Sequence, residues 1–205
     1  MNGFGEHRIE GIGDKHIPWI HNVRNTDAVS AVDDEDCIRV MRLFNEKQGA
    51  AFLQESGVPI SAINNLPLLG ISGICNLLSC IKTAKYFEMD ENDVIFTIFT
   101  DSMELYSSRI KECADKYGSY TTIDAACDFG ASLAHQDIEN YKELGYRDRK
   151  LIHNLKYFTW VEQQGKSSDE LRKLWQPEFW RSIEEDEIDN FDKLIVEFNK
   201  EIQRQ

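Results

Sequence analysis

The feature that most constrains this chain is a six-residue run at residues 94–99, VIFTIF, in which only Thr97 is polar. β-Branched and aromatic residues are typical of strands, and apolar side chains at consecutive positions predict a strand buried on both faces. Such a strand needs neighbouring strands beside it and helices above and below it. The run therefore favours an α/β fold with a parallel sheet.

Helical patterns lie on both sides of this run. Four apolar residues share one face of a predicted amphipathic helix over residues 33–49, which ends at a glycine: Cys37, Val40, Met41 and Phe44. A short apolar strand at 66–69 then leads through a glycine-bracketed turn, GISG at 70–73, into a second helix. A third helix, over residues 103–116, follows the polar turn TDS at 100–102.

The two parts of the chain differ in residue pattern and composition. Residues 1–117 alternate strands with helices and predict an incomplete α/β domain, whereas residues 118–205 are rich in charge and aromatics and predict a helical extension. The first predicted strand lies at residues 7–10, and only about three strands follow, which is few for a stable domain of this kind. We therefore expect an upstream segment to be missing.

Charge and cysteine usage exclude several classes of function. The 205 residues include 23 Lys and Arg against 36 Asp and Glu, a net charge of −13 that repels nucleic acids and anionic membranes. No apolar run approaches the roughly 18 residues of a membrane span. The five cysteines form no C-x-x-C pair and the histidines show no metal-ligand spacing. We expect a cytoplasmic protein with reduced thiols, no metal, no nucleic acid and no membrane partner.

Two polar turns follow predicted strands, at the sheet edge where parallel-sheet proteins bind ligands. Ser72 and its flanking glycines begin a helix and can offer hydroxyl and backbone donors to a flat or anionic ligand. Asp101 and Ser102 add polar groups at a comparable strand end. The pair of turns indicates a small-molecule site, although helix capping is the commoner use of such residues.

A third turn lies near the start of the chain. Gly11-Ile12-Gly13 begins like a G-x-G-x-x-G nucleotide loop, but His16 stands where the third glycine is needed. This substitution argues against a dinucleotide site. Either a plain tight turn or a ligand loop remains possible, with His16 as a structural histidine or a substrate contact.

Three motifs occur in a fixed order: IEGIG at 9–13 followed by Ile17-Pro18, GISG at 70–73, and VIFTIFTDS at 94–102 followed by Tyr106. In order and spacing, residues 7–109 resemble the later part of the cysteine synthase family, which are fold-type II pyridoxal-phosphate enzymes of the tryptophan synthase β superfamily. The segment YFTWVEQQG at 157–165 is similar to the carboxyl-terminal part of pyridoxal-phosphate-dependent lyase-like proteins called "subunit beta".

The resemblance implies a pyridoxal-phosphate cofactor and an amino-acid substrate that undergoes β-elimination or β-replacement. It implies that Ser72 lies at the pyridine nitrogen, although the paired serines of the family are here Ser72 and Gly73. The implied cofactor-binding residues are Ser72, Gly73, Asp101 and Ser102, and the implied substrate-loop residues are Gly11, Ile12, Gly13, Asp14 and His16.

The resemblance also implies what this chain lacks. The family's cofactor-binding lysine, substrate-carboxylate loop and phosphate cradle lie upstream of the IEGIG motif, and Lys15 and Lys82 do not match that lysine. We therefore expect no activity from this chain alone and a need for a lysine-bearing partner, either an amino-terminal half or a second subunit, in an oligomer. One alternative is a non-catalytic truncated paralogue with a regulatory role. Another is an independent thiol enzyme that uses Cys75 at a helix amino terminus.

Overall fold

A computed structural model of the protein describes residues 7–9, 11–13 and 16–203. The chain divides into two compact units. The first contains the described residues up to position 13 together with Ala28–Lys142, and the second contains the described residues of 15–27 and 143–205. The predicted boundary at 117/118 falls within the first unit.

The first unit is mostly helical. Its described α-helices are α1 (Asp34–Asn45), α2 (Lys47–Glu55), α3 (Ile60–Ile63), α4 (Ile71–Tyr86), α5 (Ser107–Tyr117) and α6 (Thr122–Asp128). Further turns of helix cover Leu66–Leu68 and Met103–Tyr106 (3₁₀) and Phe129–Ala134 (π). The short strands β1 (Ala28–Ser30) and β2 (Tyr141–Glu143) form an antiparallel pair, beside which Ala31 N–H donates to the Asn140 carbonyl at 3.1 Å.

The core of this unit forms where α1 packs against α4. Both helices bury apolar residues that are fully inaccessible to solvent, including Val40, Met41 and Leu43 on α1 and Ile74 and Leu78 on α4. Asp33 caps α1 by accepting a hydrogen bond from Glu35 N–H at 2.7 Å, and three acidic residues follow in the first turn. Negative charge there stabilises the helix amino terminus, so α1 begins where the sequence pattern predicts.

The predicted parallel sheet is wrong. Leu66–Leu68 form a 3₁₀ turn, because Pro67 lacks an N–H and its fixed φ suits the start of a helical turn. The 94–99 segment belongs to no strand, and His7, Arg8 and Ile9 are not in a strand either. The only sheet among the described residues is the antiparallel pair β1–β2, so these residues do not form a fold-type II α/β domain.

The helical predictions succeed, with shifts at their ends. Helices α4 and α5 cover the predicted regions, the latter after a 3₁₀ turn. The helix predicted over residues 33–49 instead breaks at Glu46, and Gly49 lies inside α2. A Cβ atom at Gly49 would overlap the Leu43 carbonyl, so this glycine is required by close backbone approach and does not end a helix.

The second unit contains a 3₁₀ turn at Val23–Asn25 and the helices α7 (Tyr146–Lys156), α8 (Ser168–Lys173), α9 (Pro177–Ser182) and α10 (Ile188–Ile202). Lys156 is fully buried and donates from Nζ to the carbonyls of Trp19 and His21, at 2.8 and 2.7 Å. The indole of Trp160 donates to the Ile17 carbonyl at 2.8 Å. These bonds hold residues 17–21 against α7 and against the turn that follows α7.

Helix α10 carries apolar side chains at helical spacing, and the described residues leave them largely uncovered. Its large apolar side chains are each about half exposed or more: Ile188, Phe191, Leu194, Ile195, Val196, Phe198 and Ile202.

No single helix among the described residues is long and apolar enough to cross a membrane. The segments Ile60–Leu68 and Ile71–Tyr86 meet that criterion only as a pair bent by 120°, on length and composition alone.

The α1–α4 contact predicts a clear difference between two leucines. Leu43→Ala removes a side chain with no solvent exposure and should lower the free energy of unfolding by about 2–5 kcal/mol. Leu68, which is 63% exposed, is the matched control, and Leu68→Ala should change that free energy by less than about 0.5 kcal/mol. Urea denaturation followed by far-UV circular dichroism measures both, and equal effects would contradict the proposed core.

His153 predicts acid sensitivity of the second unit. Burial, then the nearby charge of Lys156, lowers the pKa of His153 to about 4 from 6.5. Between these two values the unfolded chain binds a proton that the folded chain does not, so stability falls as the pH falls through this window, by up to about 3 kcal/mol.

Tryptophan fluorescence suits this measurement, because all four tryptophans lie in the second unit and the Trp175 ring lies 5.1 Å from that of His153. His153→Gln keeps an N–H that can donate to the Leu171 carbonyl, as His153 Nε2 does at 3.1 Å, but does not titrate. The loss of stability between pH 7 and pH 4.5 should be smaller in this variant. An equal loss would show that His153 does not control it.

Candidate functional site

The amino end of α4 meets the turn that follows the 94–99 segment. Gly70 N–H donates to the Asp101 carbonyl at 2.9 Å. The Ser72 hydroxyl lies 3.0 Å from the Thr100 hydroxyl and 3.5 Å from Asp101 Oδ1. Tyr106 donates its hydroxyl proton to Asp101 Oδ2 at 2.5 Å. Two polar turns predicted separately from the sequence are therefore in direct contact.

Glycines allow this contact. A Cβ atom on Gly70 would overlap the Asp101 carboxyl group, and one on Gly73 would lie 3.3 Å from the Phe99 ring. A larger residue at either position would push the turn away from the helix. The GISG sequence is thus explained by close approach of two segments as well as by helix initiation.

The electrostatics of the cluster centre on Asp101. The amino terminus of a helix carries partial positive charge, which stabilises a carboxylate placed beside it. Asp101 occupies that place at α4, and Ser72 beside it is buried. Ser102 is partly buried and precedes the 3₁₀ turn Met103–Tyr106, without a side-chain cap bond to it.

The predicted substrate loop is described only in part. Gly11 and Gly13 have φ values of 81° and 80°, a left-handed backbone that favours glycine, and Ile12 packs against the core of the first unit. Asp14 lies outside the described residues. His16 belongs to the second unit, where its Nδ1 lies 2.8 Å from the Thr159 hydroxyl.

Sequence reasoning missed two members of the cluster as site residues, Thr100 and Tyr106. Thr100 was visible as the first residue of the TDS turn, and Tyr106 as the tyrosine four residues after Ser102. Neither residue type signals a contact by itself. Their roles depend on the position of α4, which local sequence does not define.

Cys75 does not have the environment of an activated thiol. It is 7% exposed, and burial, then the nearby negative charge of Asp34, raises its pKa to about 11. The apolar surroundings therefore outweigh any stabilisation of a thiolate by the helix terminus. All five cysteines are free, and Cys127 is exposed.

The first unit contains one more candidate binding site, with a different lining. A cavity of about 200 Å³ is lined by charged and aromatic side chains, among them Arg39, Arg42, Tyr120 and Asp128. Tyr120 donates its hydroxyl proton to Asp128 Oδ2 at 2.9 Å, and burial raises the pKa of both groups. In the part of the chain that the structure describes, no group of three or more His, Cys, Asp or Glu side chains could hold a metal ion.

Comparison of the chain with protein families, with curated proteins and with solved structures finds no match. The resemblance to the cysteine synthase family therefore depends on the three ordered motifs alone.

The environments of two cysteines predict their order of alkylation. At pH 8, iodoacetamide should modify exposed Cys127 at least about tenfold faster than Cys75, because a buried thiol with a raised pKa forms little thiolate. Peptide mass spectrometry over time measures the two rates. Cys127→Ser should remove a fast reaction that Cys75→Ser leaves intact, and fastest modification at Cys75 would restore the thiol-enzyme alternative.

Proposed function

We propose that this chain is one part of a pyridoxal-phosphate enzyme of the cysteine synthase type, acting on an amino acid by β-elimination or β-replacement. A second, lysine-bearing polypeptide segment completes the site in an oligomer. The observation that carries the proposal is the contact of Ser72 with Thr100 and Asp101, because it joins two motifs that the resemblance assigns to the cofactor.

The chemistry of this cluster fits a pyridine ring. Ser72 and Thr100 share one hydrogen bond, and each hydroxyl can donate one proton and accept two. One of the two hydroxyls can therefore donate to a ring nitrogen while it accepts from the other. Asp101 is held in place by Tyr106 and by Gly70 N–H. We assign Gly73 and Ser102 to the same cofactor site. When bound, pyridoxal phosphate would stabilise negative charge that develops on the substrate.

The two buried lysines among the described residues support the need for a second segment. Lys82 is buried in α4 and its Nζ pairs with Asp137 Oδ1 at 3.1 Å. Lys156 is buried in the second unit with its Nζ bonded to two backbone carbonyls, and burial lowers its pKa to about 8. Both amines already have structural partners. A covalent bond to the cofactor is therefore assigned to a lysine of the partner.

The substrate loop has a smaller part in the proposal. Gly11 and Gly13 lie in the first unit and have a left-handed backbone conformation. A Cβ atom added at either position would not contact backbone atoms. We assign them, with Ile12 of the same unit, to contact with the amino-acid substrate. A cytoplasmic location is part of the proposal, and free, mostly buried thiols support it.

A second candidate function is a non-catalytic interaction protein that keeps the turn contacts and binds another chain as a regulator. It is favoured by the exposure of the 94–99 segment, where Phe96 is 93% exposed. This feature indicates a partner but says nothing about a cofactor. The two candidates therefore differ in whether the assembled complex contains pyridoxal phosphate.

The test is the native mass and the pyridoxal-phosphate content of the protein purified from the cells that make it. The expected result is a complex larger than 23.7 kDa that contains the cofactor, detected by visible absorbance and by fluorescence after release. Ser72→Ala should weaken cofactor binding about three- to tenfold, as loss of one hydrogen bond predicts.

Ser108→Ala is the matched control, because Ser108 is exposed on α5 and should not alter cofactor binding. A complex without pyridoxal phosphate would overturn the enzymatic proposal and support the regulator. Equal cofactor affinity of the Ser72 and Ser108 variants would contradict the assignment of Ser72.

A further inference from the structure

We infer that the cavity lined by α1 and α6 binds a free α-amino acid with an apolar side chain, whose carboxylate contacts Arg39 and whose ammonium group contacts Asp128. The lining comes from these two helices and from the tyrosines at and after the end of α5, all within the first unit. It includes no residue of the cluster at Ser72. The inference therefore goes beyond the proposed function and does not rest on it.

The cavity is large enough for a small organic molecule and is lined mostly by charge. Its volume is about 200 Å³, whereas one ordered water needs roughly 10–15 Å³. Two arginines and three carboxylates lie in the lining, together with two tyrosines and an isoleucine. Which ligand fits depends on which of these charges already have partners in the chain.

Three of the five charges are satisfied within the first unit. Glu35 pairs with Arg8 at 2.6 Å, and Arg42 pairs with Glu46 at 3.2 Å. Asp124 accepts hydrogen bonds within the capping box at the start of α6. These groups form the fixed frame of the cavity.

The other two charges, Arg39 and Asp128, have opposite sign and do not pair with each other. Arg39 is exposed and makes no hydrogen bond or ion pair with any described residue. Asp128 is partly buried and accepts from the Tyr120 hydroxyl at 2.9 Å through Oδ2, but no described cation pairs with it. An unpaired arginine at a surface is ordinary, whereas a partly buried carboxylate without a cation is not.

A zwitterion complements this pair of charges. The Arg39 guanidinium can donate two parallel hydrogen bonds to a carboxylate, and Asp128 Oδ1, which accepts from no described donor, can accept from an ammonium group. A ligand with only one of these groups would leave the other protein charge unpaired. An α-amino acid carries both groups on a single carbon atom.

The titration of Asp128 is consistent with an ammonium partner. Burial raises the pKa of this carboxyl group, and the hydrogen bond from Tyr120 and the nearby charge of Arg39 offset the rise only in part. A ligand ammonium group at Oδ1 would stabilise the ionised carboxylate, so ligand binding and ionisation of Asp128 should favour each other.

The uncharged part of the lining favours an apolar ligand side chain. Tyr120 and Ile38 are both buried, whereas Tyr117 is 47% exposed even with Lys116 Nζ over its ring, 4.6 Å from the centroid. Tyr117 therefore offers the largest uncovered apolar surface in the cavity. Contact with this ring would remove apolar surface of both partners from water.

Isothermal titration calorimetry of the full chain at pH 7 tests the inference with L-leucine, L-methionine and L-phenylalanine. N-acetyl-L-leucine, which lacks the ammonium group, and L-leucinamide, which lacks the carboxylate, are matched control ligands. L-leucine should bind at least about tenfold more tightly than either, because each blocked ligand leaves one protein charge unpaired. No binding of the three amino acids, or equal binding of L-leucine and a blocked ligand, would overturn the inference.

Two substitutions assign the two ends of the ligand. Arg39→Gln should lower the affinity for L-leucine to that for L-leucinamide, and its thermal unfolding should be unchanged because Arg39 is exposed. Asp128→Asn, whose amide oxygen can still accept from Tyr120, should lower it to that for N-acetyl-L-leucine. Each variant should abolish one preference and keep the other. If Asp128→Asn does not fold, Arg39→Gln decides alone, and an unchanged preference in it would overturn the inference.

The matched control variant is Arg147→Gln, because Arg147 on α7 is also exposed and makes no ion pair with any described residue. It should bind L-leucine as the unmodified chain does. Weaker binding in Ser72→Ala but not in Arg39→Gln would place the amino acid at the Ser72 cluster and overturn the inference. Binding that needs Arg39, in a protein whose complex contains no pyridoxal phosphate, would support the inference and contradict the enzymatic role.

Discussion

The packing of α1 against α4 is the interaction on which the rest of the first unit depends. The Cys37 thiol donates to the Ile71 carbonyl at 3.3 Å, and fully buried residues of both helices form a continuous apolar contact. This contact sets the position of the amino end of α4. Gly70 and Ser72 can reach Asp101 only because that end is held beside the turn at residues 100–102.

The cluster at α4 combines three physical requirements in a small space. Glycine is needed where two segments approach closely, a carboxylate is stabilised at a helix amino terminus, and hydroxyl groups can exchange hydrogen-bond partners. Gly70, Asp101 and Ser72 each meet one of them. The proposed ligand of this site is a polar, flat molecule. Lys82, buried in the same helix, already pairs with Asp137.

The error about the sheet has a physical origin in residues 94–99. Local preference predicted a strand there, but a strand also requires neighbours in the hydrogen-bonding direction. No described part of this chain provides them. At residues 66–69, Pro67 favoured a helical turn over the strand suggested by apolar character. The helices were easier to predict, because caps and periodic apolar faces are local signals, as at Asp33 and α1.

The sequence by itself determined the helices and the polar character of two turns, because these depend on neighbours within a few residues. Tertiary structure alone decided which groups are buried. It made Cys75 a weak nucleophile with a raised pKa, kept His153 neutral through a lowered pKa, and gave Lys156 two carbonyl partners far away in sequence. Burial removes water from a charge, and which residues lose their water is a property of the packed chain rather than of any local pattern.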